Sequence, residues 1–586
     1  MISNIKKPYL FFNQKSPILR EIFSLIESKL APNLTLIPSG TISKTQEELL
    51  DLTHSVTLID NTKQKHTGLK ALFQSLQFTT GIYKLIYILY AKAPLFSTIL
   101  NLIGKIIQSS TILKSLTTKT IHIINQKPES FSIGIFFAIK ITAFLFLLNF
   151  IYLLPQLDGL FYSNGLTPIT STYNQSLSIF NFITSNSGIF LITALGIISS
   201  SLWLIGILPL VTGIVSWLTW ASFVNISPTF MQFQWDTLLI EAGLIALLTI
   251  PLTTHQFKPL KTTKMLILIY RLLLFRIFLT PGINMISDPN TMLNLSQKLI
   301  SQPFPSNISW LAYHLPNSAQ IIIGLLYIAI HILGPIGLFL NRKYRHLTAI
   351  CLFLFSALMI VCGNLGIFYI LTAMLCLTQL DDKWFFTQKG IERYIPNNFM
   401  NNISLPRIQR LFSNSVVTLL IIATLPLMLN NTSNSKTILP IQFLYNQNII
   451  NKYQIIPAQF DNFTHMNIYS STDSYIWNQI NTASLIPTLT SPFKSRLEFK
   501  LWELCHLGTT PKWFTQFQEK LMQNSPEVIS LISKKNHNIK YLHFQIYQYT
   551  PLALNNTPYK NQWWDLTSTS IFKPKTSTTE TISLNQ

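Results

Sequence analysis

A chain of 586 residues in which only 11% are charged, with a mean hydropathy of +0.34, is no ordinary soluble domain, where about a quarter of residues carry charge. The net charge of +21 raises nucleic acid as a partner. Many of the lysines and arginines, however, fall in short loops between apolar segments and near the N-terminus, which fits the positive-inside rule and not a phosphate-binding face.

Residues 1–125 read as a small α/β domain. Pro8–Phe12, Leu34–Pro38 and Val56–Ile59 are short apolar runs of strand type, Pro17–Lys29 has helical periodicity, and Gly68–Phe78 is helical after a turn at Asn61–Gln64. Alternation of this kind predicts a thioredoxin-like α/β layer. The stretch Phe78–Ile107 is apolar but broken by Lys84, Lys92, Pro94 and Lys105, and reads as packed or membrane-surface helix. The N-terminus is polar and the first long apolar run comes after residue 130, so no cleavable signal sequence is expected.

From Phe131 the apolar segments come in series: Phe131–Leu154, Gly188–Ile207, Pro209–Val224, Gln232–Leu252, Met265–Ile283, Ile321–Leu340, Leu347–Cys362, Leu365–Leu380 and Phe412–Leu429. Each approaches the roughly 20 residues that a span needs. The lipid bilayer is therefore the first expected partner, in a multi-span α-helical membrane domain over residues 131–430. With the N-terminal domain in the cytoplasm, the loops His255–Lys264, Asn341–His346 and Asp381–Arg410 are basic and cytoplasmic. The opposite loops, Pro155–Ser187 and Asn284–Gln320, carry Lys298 alone. Nine crossings then put residues 431–586 outside.

One apolar segment carries carboxylates. Gln232–Gly243 reads Q-F-Q-W-D-T-L-L-I-E-A-G, with Asp236 and Glu241 close to Trp235. A carboxylate in hydrocarbon costs about 2.5–3.5 kcal/mol on insertion scales, so both need a partner or a wet cavity. Arg271 and Arg276 interrupt Met265–Ile283 and can supply the opposite charge. These five residues form a candidate polar membrane site, either a working cavity or helix-to-helix glue. The loop Pro155–Pro168 is dense in turn formers, with Gln156, Asp158-Gly159 and Asn164-Gly165, and a second loop holds Gln302-Pro303 in a Pro-rich strap.

The outer part, residues 431–586, reads as a soluble α+β domain. Thr437–Tyr453 and Met466–Tyr469 have strand-like runs, and Ser470–Ser474 is a turn into Tyr475-Ile476-Trp477. Arg496–Leu507 is an amphipathic helix stopped by Gly508. Thr510-Pro511 and Ser525-Pro526 open two more helices, Tyr541–Tyr549 alternates as a strand, and the Ser/Thr-rich tail is expected to be disordered. Trp477, Trp502 and Trp564 are its candidate anchors.

Cys351, Cys362, Cys376 and Cys505 lack the spacing of a metal site or a redox dithiol. There is no phosphate-binding glycine loop, no Gly-x-Ser-x-Gly elbow and no His-x-x-x-His helix, so no cofactor or metal and no catalytic group is expected. His314 and His331 read as packing residues more readily than as proton carriers.

Two resemblances add to this. Phe11–Leu19 (F-F-N-Q-K-S-P-I-L), Ser55–Asp60 and His66–Leu72 resemble the DCC thiol-disulfide oxidoreductase-like family, whose first block ends in D-C-P-x-C. Here Pro17 is kept, but Ser16 and Leu19 stand where the two sulfurs belong. Exchange needs an attacking and a resolving thiol, so the resemblance implies a scaffold without the chemistry. From about Leu148 to Trp564 the chain resembles the lipase maturation factor family, in Leu154–Pro168, Phe233–Gly243, Leu273–Phe278, Gly363–Phe368, Leu380–Asp382 and the outer-domain blocks I-Y-S-S-T-D-S-Y-I-W, R-L-E-F-K-L-W and N-S-P-E-V-I-S-L-I. The family's H-Y-E-T-Q-P-like block survives only as Gln302-Pro303. The resemblance implies a membrane-anchored folding or assembly factor for an exported client protein, placed here in a bacterial inner membrane with the C-terminal domain periplasmic. The alternative is a membrane enzyme or transporter built on the Asp/Glu/Arg site.

Overall fold

The computed structural model describes residues 8–12, 34–38, 56–60, 64–79, 82–92 and a few single positions of the first 128. Beyond them it describes 129–169, 177–259, 261–287, 295–302, 306–363, 366–387, 405–429, 439–453, 463–480, 495–507, 510–533, 538–552 and 564–571. Ser16, Pro303 and the tail after Ile571 lie outside the described residues. The chain divides into two compact units, Met1–Pro128 and Glu129–Gln586, so the helical part and the C-terminal part belong to one unit.

In the first unit β1 (Tyr9–Phe12), β2 (Thr35–Pro38), β3 (Val56–Ile59) and β4 (Lys65–Thr67) make one sheet in the order β2-β1-β3-β4. β1 is parallel to β2 and antiparallel to β3, and β4 is antiparallel to β3. The strand β4 goes beyond the sequence reading, which placed only turn and helix there. Its residues alternate too briefly to register as a strand. Helix α1 (Gly68–Ser75) follows, and α2 (Ile82–Lys92) lies within the broken apolar stretch. Leu10, Phe23, Leu34, Val56, Leu58 and Ala71 form the core, with Leu19 packed against it.

Among the described residues of the second unit six helices are long and apolar enough to cross a membrane: Ser132–Leu160, Asn186–Ile205, Pro209–Ile226, Lys264–Ile286, Asn317–Gly337 and Arg342–Cys362. This is a multi-span integral membrane protein. Two further expected spans are shorter than the sequence suggested. Gln232–Leu252 yields the 16-residue helix Gln234–Thr249, and Leu365–Leu380 yields the 10-residue helix Phe368–Leu377. At 1.5 Å per residue these are about 24 and 15 Å long, less than the roughly 30 Å hydrocarbon layer. Twelve of the sixteen residues of Gln234–Thr249 are buried. A helix enclosed by protein can end early, because neighbours satisfy its terminal backbone groups where lipid could not. The ninth segment forms Arg407–Leu429.

The loops gather at two ends. At one, here the basic end, Asp382 N donates to Ser130 O, Gln409 Nε2 to Ile250 O and Thr263 Oγ1 to Asn414. Asp382 also accepts from the Ile133 amide at 2.8 Å and so caps the helix Ser132–Leu153. Gly134 allows the next close approach, since a Cβ there would sit 2.3 Å from Leu377 O. The opposite end is capped by the C-terminal part.

That C-terminal part holds one antiparallel sheet, β6-β5-β7-β8, made of Phe463–Ser471 (β5), Asn478–Gln479 (β6), Tyr541–Pro551 (β7) and Trp564–Ile571 (β8). Arg496–Leu507, Lys512–Met522 and Pro526–Ile529 are its helices. Two expectations need correcting. Thr437–Tyr453 contains the helix Leu439–Asn446, not a strand, and its Ile441 is buried while Leu444 packs on the main core. The Ser/Thr-rich run after Trp564 is strand β8, because pairing with β7 satisfies its backbone where its own side chains bury little.

Candidate functional site

Asp236 lies in the first turn of the helix Gln234–Thr249 and is fully buried. Its carboxylate is held by neither Arg271 nor Arg276. The partner is Arg496, the first residue of Arg496–Leu507 in the C-terminal part, which donates through both terminal nitrogens at 2.7 and 2.8 Å. A bidentate guanidinium–carboxylate pair is the strong, geometrically specific form of this contact. The remaining groups around Arg496 complete the socket. Its backbone amide donates to Gln156 Oε1 at 2.9 Å, its guanidinium to Phe230 O at 2.9 Å, and it lies over the rings of Trp220 and Phe233. Trp235 stacks on Phe233 and meets Phe499, and the Gly366 backbone, at a φ of +56°, approaches the Trp235 ring closely. The arrangement seats the C-terminal part on the membrane part.

Glu241, one and a half turns further into the bundle, has its own partners. Arg276 pairs with it, and the Tyr453 hydroxyl donates to it at 2.6 Å. Arg276 also donates to Asn451 O. Arg271 belongs to a third group at the basic end, where it donates to Gln379 Oε1, while Arg345 donates to Gln379 O and pairs with Glu129. The five polar residues therefore divide among three buried clusters. The expectation that Arg271 and Arg276 answer Asp236 and Glu241 is corrected in one member: Arg276 does meet Glu241, but the cation for Asp236 comes from outside the apolar segments.

The loop motif joins the first cluster. Gln156 is buried against Arg496, and Gly159 lies against the helix Pro526–Ile529, where a Cβ would be 2.6 Å from Glu527 O and from Leu531. Asn164 donates to the Glu527 carboxylate at 3.4 Å, Asp158 is exposed in the first turn of Leu157–Leu160, and Gly165 closes the turn by donating to Tyr162 O. Gln302 is buried against Gly363. Gly159→Ala is expected to cost about 1–3 kcal/mol, because the added methyl meets the Glu527 backbone carbonyl as well as the Leu531 side chain, and the carbonyl cannot turn aside. Unfolding in detergent checks it, and a wild-type melting temperature would refute the close approach.

The anchors part company. Trp502 is half-buried on Arg496–Leu507, and Trp564 begins β8 with its side chain outside the described residues. Trp477 stands beside His543 at the end of an exposed tip, with Tyr475 88% exposed. The tip is built tightly. Asp473 accepts from the amides of Tyr475 and Ile476, both at 3.0 Å, and from Ser471 Oγ, while Ser471 Oγ accepts from the amides of Asp473 and Ser474. The Ile476 and Tyr475 amides hold the Asp473 carboxyl below its ordinary value. A lowered folded-state pKa stabilises above the unfolded value and is lost as pH falls through the folded one. Tip order is therefore expected to persist at neutral pH and to fail only in acid. Amide exchange at residues 474–476 reads this, and a loss centred near neutral pH would contradict it.

Among the described residues no group of three or more His, Cys, Asp or Glu side chains could hold a metal ion. His331 sits among Tyr327, Phe278 and Phe355 with Nδ1 2.8 Å from Tyr327 O, and His314 bridges Trp310 O and Leu552 O.

Comparison with known proteins finds a match for each of these two contacting parts. Residues 135–387 match the lipase maturation factor transmembrane domain, and residues 475–574 match the lipase maturation factor C-terminal domain. Two separate stretches of this chain thus match both domain models of the lipase maturation factor family. It is similar to lipase maturation factor 1 of Mus musculus (29% identical over 203 residues, 34% of this chain and 35% of the relative) and of Homo sapiens (26% over 269 residues, 42% and 47%). Lipase maturation factor 2 of Xenopus laevis is 29% identical over 175 residues, 28% of this chain and 25% of the relative. The chain thus spans from a quarter to about half the length of these curated relatives. No solved structure matches it.

In the unit Glu129–Gln586, sequence reading missed Arg496, Tyr453 and Gln379 as partners of the buried charges. One signal was available: Arg496 opens a helix, where a cation opposes the macrodipole, and such a mismatch points to a partner elsewhere. Lys140 was missed too. It sits inside the helix Ser132–Leu153 and donates to Leu204 O at 2.7 Å, beside the left-handed Gly206 that ends Asn186–Ile205.

Proposed function

We propose that this protein is a membrane-anchored folding or assembly factor for an exported polypeptide, without thiol–disulfide activity. The carrying observation is the match to both lipase maturation factor domains, joined in one compact unit. The relatives' name speaks of lipase maturation, and a lipase-like secreted protein is the client class we favour. The C-terminal part, seated by Arg496, offers the ordered Tyr475-Ile476-Trp477 tip as a client contact, since rigid aromatic side chains bind with little entropy to lose. The C-terminal part then lies on the export side of the membrane and the basic end in the cytoplasm.

The N-terminal unit we read as a thioredoxin-like, DCC-like scaffold. Its strand order and directions suit that reading, and Leu19, at the second lost sulfur, serves the core. The enzyme or transporter alternative gains nothing from a polar set divided among three paired clusters.

Photocrosslinking from position 477 in living cells, followed by purification in mild detergent, tests the reading. Capture of one exported protein, lost on Asp473→Ala with Ile476→Ser, is the expected result. Labelling of lipid alone would sink it.

A further inference from the structure

Two segments that the sequence assigns to the aqueous side carry an apolar surface which the ion pairs do not explain. In 177–185, Leu177 is 63% and Phe182 89% exposed, and Ile183 is exposed beside them. In the helix Leu439–Asn446, Phe443 and Tyr445 are exposed while Ile441 is buried. Single exposed hydrophobics are ordinary; a fixed set on adjoining segments is not.

The two segments are clamped together by amides. Gln447 Oε1 accepts from the Leu177 amide at 2.8 Å and from Asn225 Nδ2 at 3.2 Å. Asn225 Nδ2 also donates to Leu177 O, and Asn448 Nδ2 donates to Asn225 Oδ1 at 3.0 Å. Below the clamp, Asn451 donates to Thr237 O and Tyr453 to Glu241. The plate is thereby fixed to the ends of the spans.

Its occupant follows from what it adjoins. Ile183 packs on Gly188 in the first turn of the span Asn186–Ile205, which itself exposes Phe190, Leu191 and Leu195. No Asp, Glu, Lys, Arg or His occurs from Gly159 to Trp235, or from Leu439 to Ile450. The outward side of Leu439–Asn446 mixes Phe443 and Tyr445 with the exposed amides Gln442 and Asn446, the mixture suited to the headgroup layer.

We infer that 177–183 and Leu439–Asn446 form one interfacial plate lying in the lipid headgroup layer at the end that bears the C-terminal part. The plate covers the Glu241 cluster from water and sets the depth of the bundle. It does this whether or not a client is bound.

The test uses the full chain in phosphatidylcholine nanodiscs, with benzoylphenylalanine replacing Phe182 in one preparation and Phe443 in another. Exposed Gln523, in the C-terminal part, serves as the aqueous control. After irradiation, mass spectrometry is expected to find phospholipid adducts at both plate positions, at least fivefold above position 523, with the melting temperature unchanged. Adducts at the plate no more frequent than at position 523, or adducts to polypeptide in place of lipid, would overturn it. The two sites are read independently, so a variant that fails to fold leaves the other decisive.

Discussion

Arg496→Met is expected to destabilise the unit of residues 129–586 by about 3–5 kcal/mol, the range for removing one partner of a buried ion pair. The Asp236 carboxylate would remain fully buried, with the Phe233 amide at 3.3 Å as a weak substitute for a bidentate cation. Asp236→Asn strands the guanidinium in the same way. The double variant Asp236→Leu with Arg496→Met removes both charges and is expected to recover much of the loss, because the desolvation of both ions disappears with their attraction. Melting in detergent and protease release of the C-terminal part are the readouts. If Asp236→Asn left protein level and melting unchanged while abolishing function, the seat reading would fail and a working polar site would replace it.

The second large effect is expected at Glu241. Arg276→Met removes the cation and leaves the carboxylate with the Tyr453 hydroxyl alone, again about 3–5 kcal/mol. Tyr453→Phe takes one hydrogen bond to a charged group and is expected to cost about 1.5–3 kcal/mol. If each acts through Glu241, the two losses should not add in Arg276→Met/Tyr453→Phe. Strict additivity by thermal unfolding would show that the three groups do not work as one cluster.

Both clusters show how far pairing can be read along a chain. The need for partners was legible, since a carboxylate inside an apolar run is costly wherever it sits. The choice of partner was not. Arg271 and Arg276 were both candidates for Glu241, and Arg276 is the one used. Asp236 ignores Arg271, which answers Gln379, and takes a cation 260 residues downstream. The loop motif was legible as turns at Gly159 and Gly165, but its role as the floor beneath Pro526–Ile529 depends on an approach within 3 Å that turn chemistry does not reveal.

Secondary structure divided in the same manner. Arg496–Leu507 and Val56–Ile59 were readable to the residue because periodicity and stop signals agree there. Leu439–Asn446 and Trp564–Ile571 were misread, since a short amphipathic helix looks like a β-branched run and a Ser/Thr strand looks like a tail.

What the sequence by itself determined is that this chain crosses a membrane several times, where its basic loops gather, and that its buried carboxylates require cations. These are local properties of hydrophobicity and charge, written residue by residue. The tertiary structure alone decided that the cation for Asp236 lies in the C-terminal part, because a bidentate pair depends on two side chains meeting at 2.7–2.8 Å, and that distance is set by the packing of elements far apart in the chain.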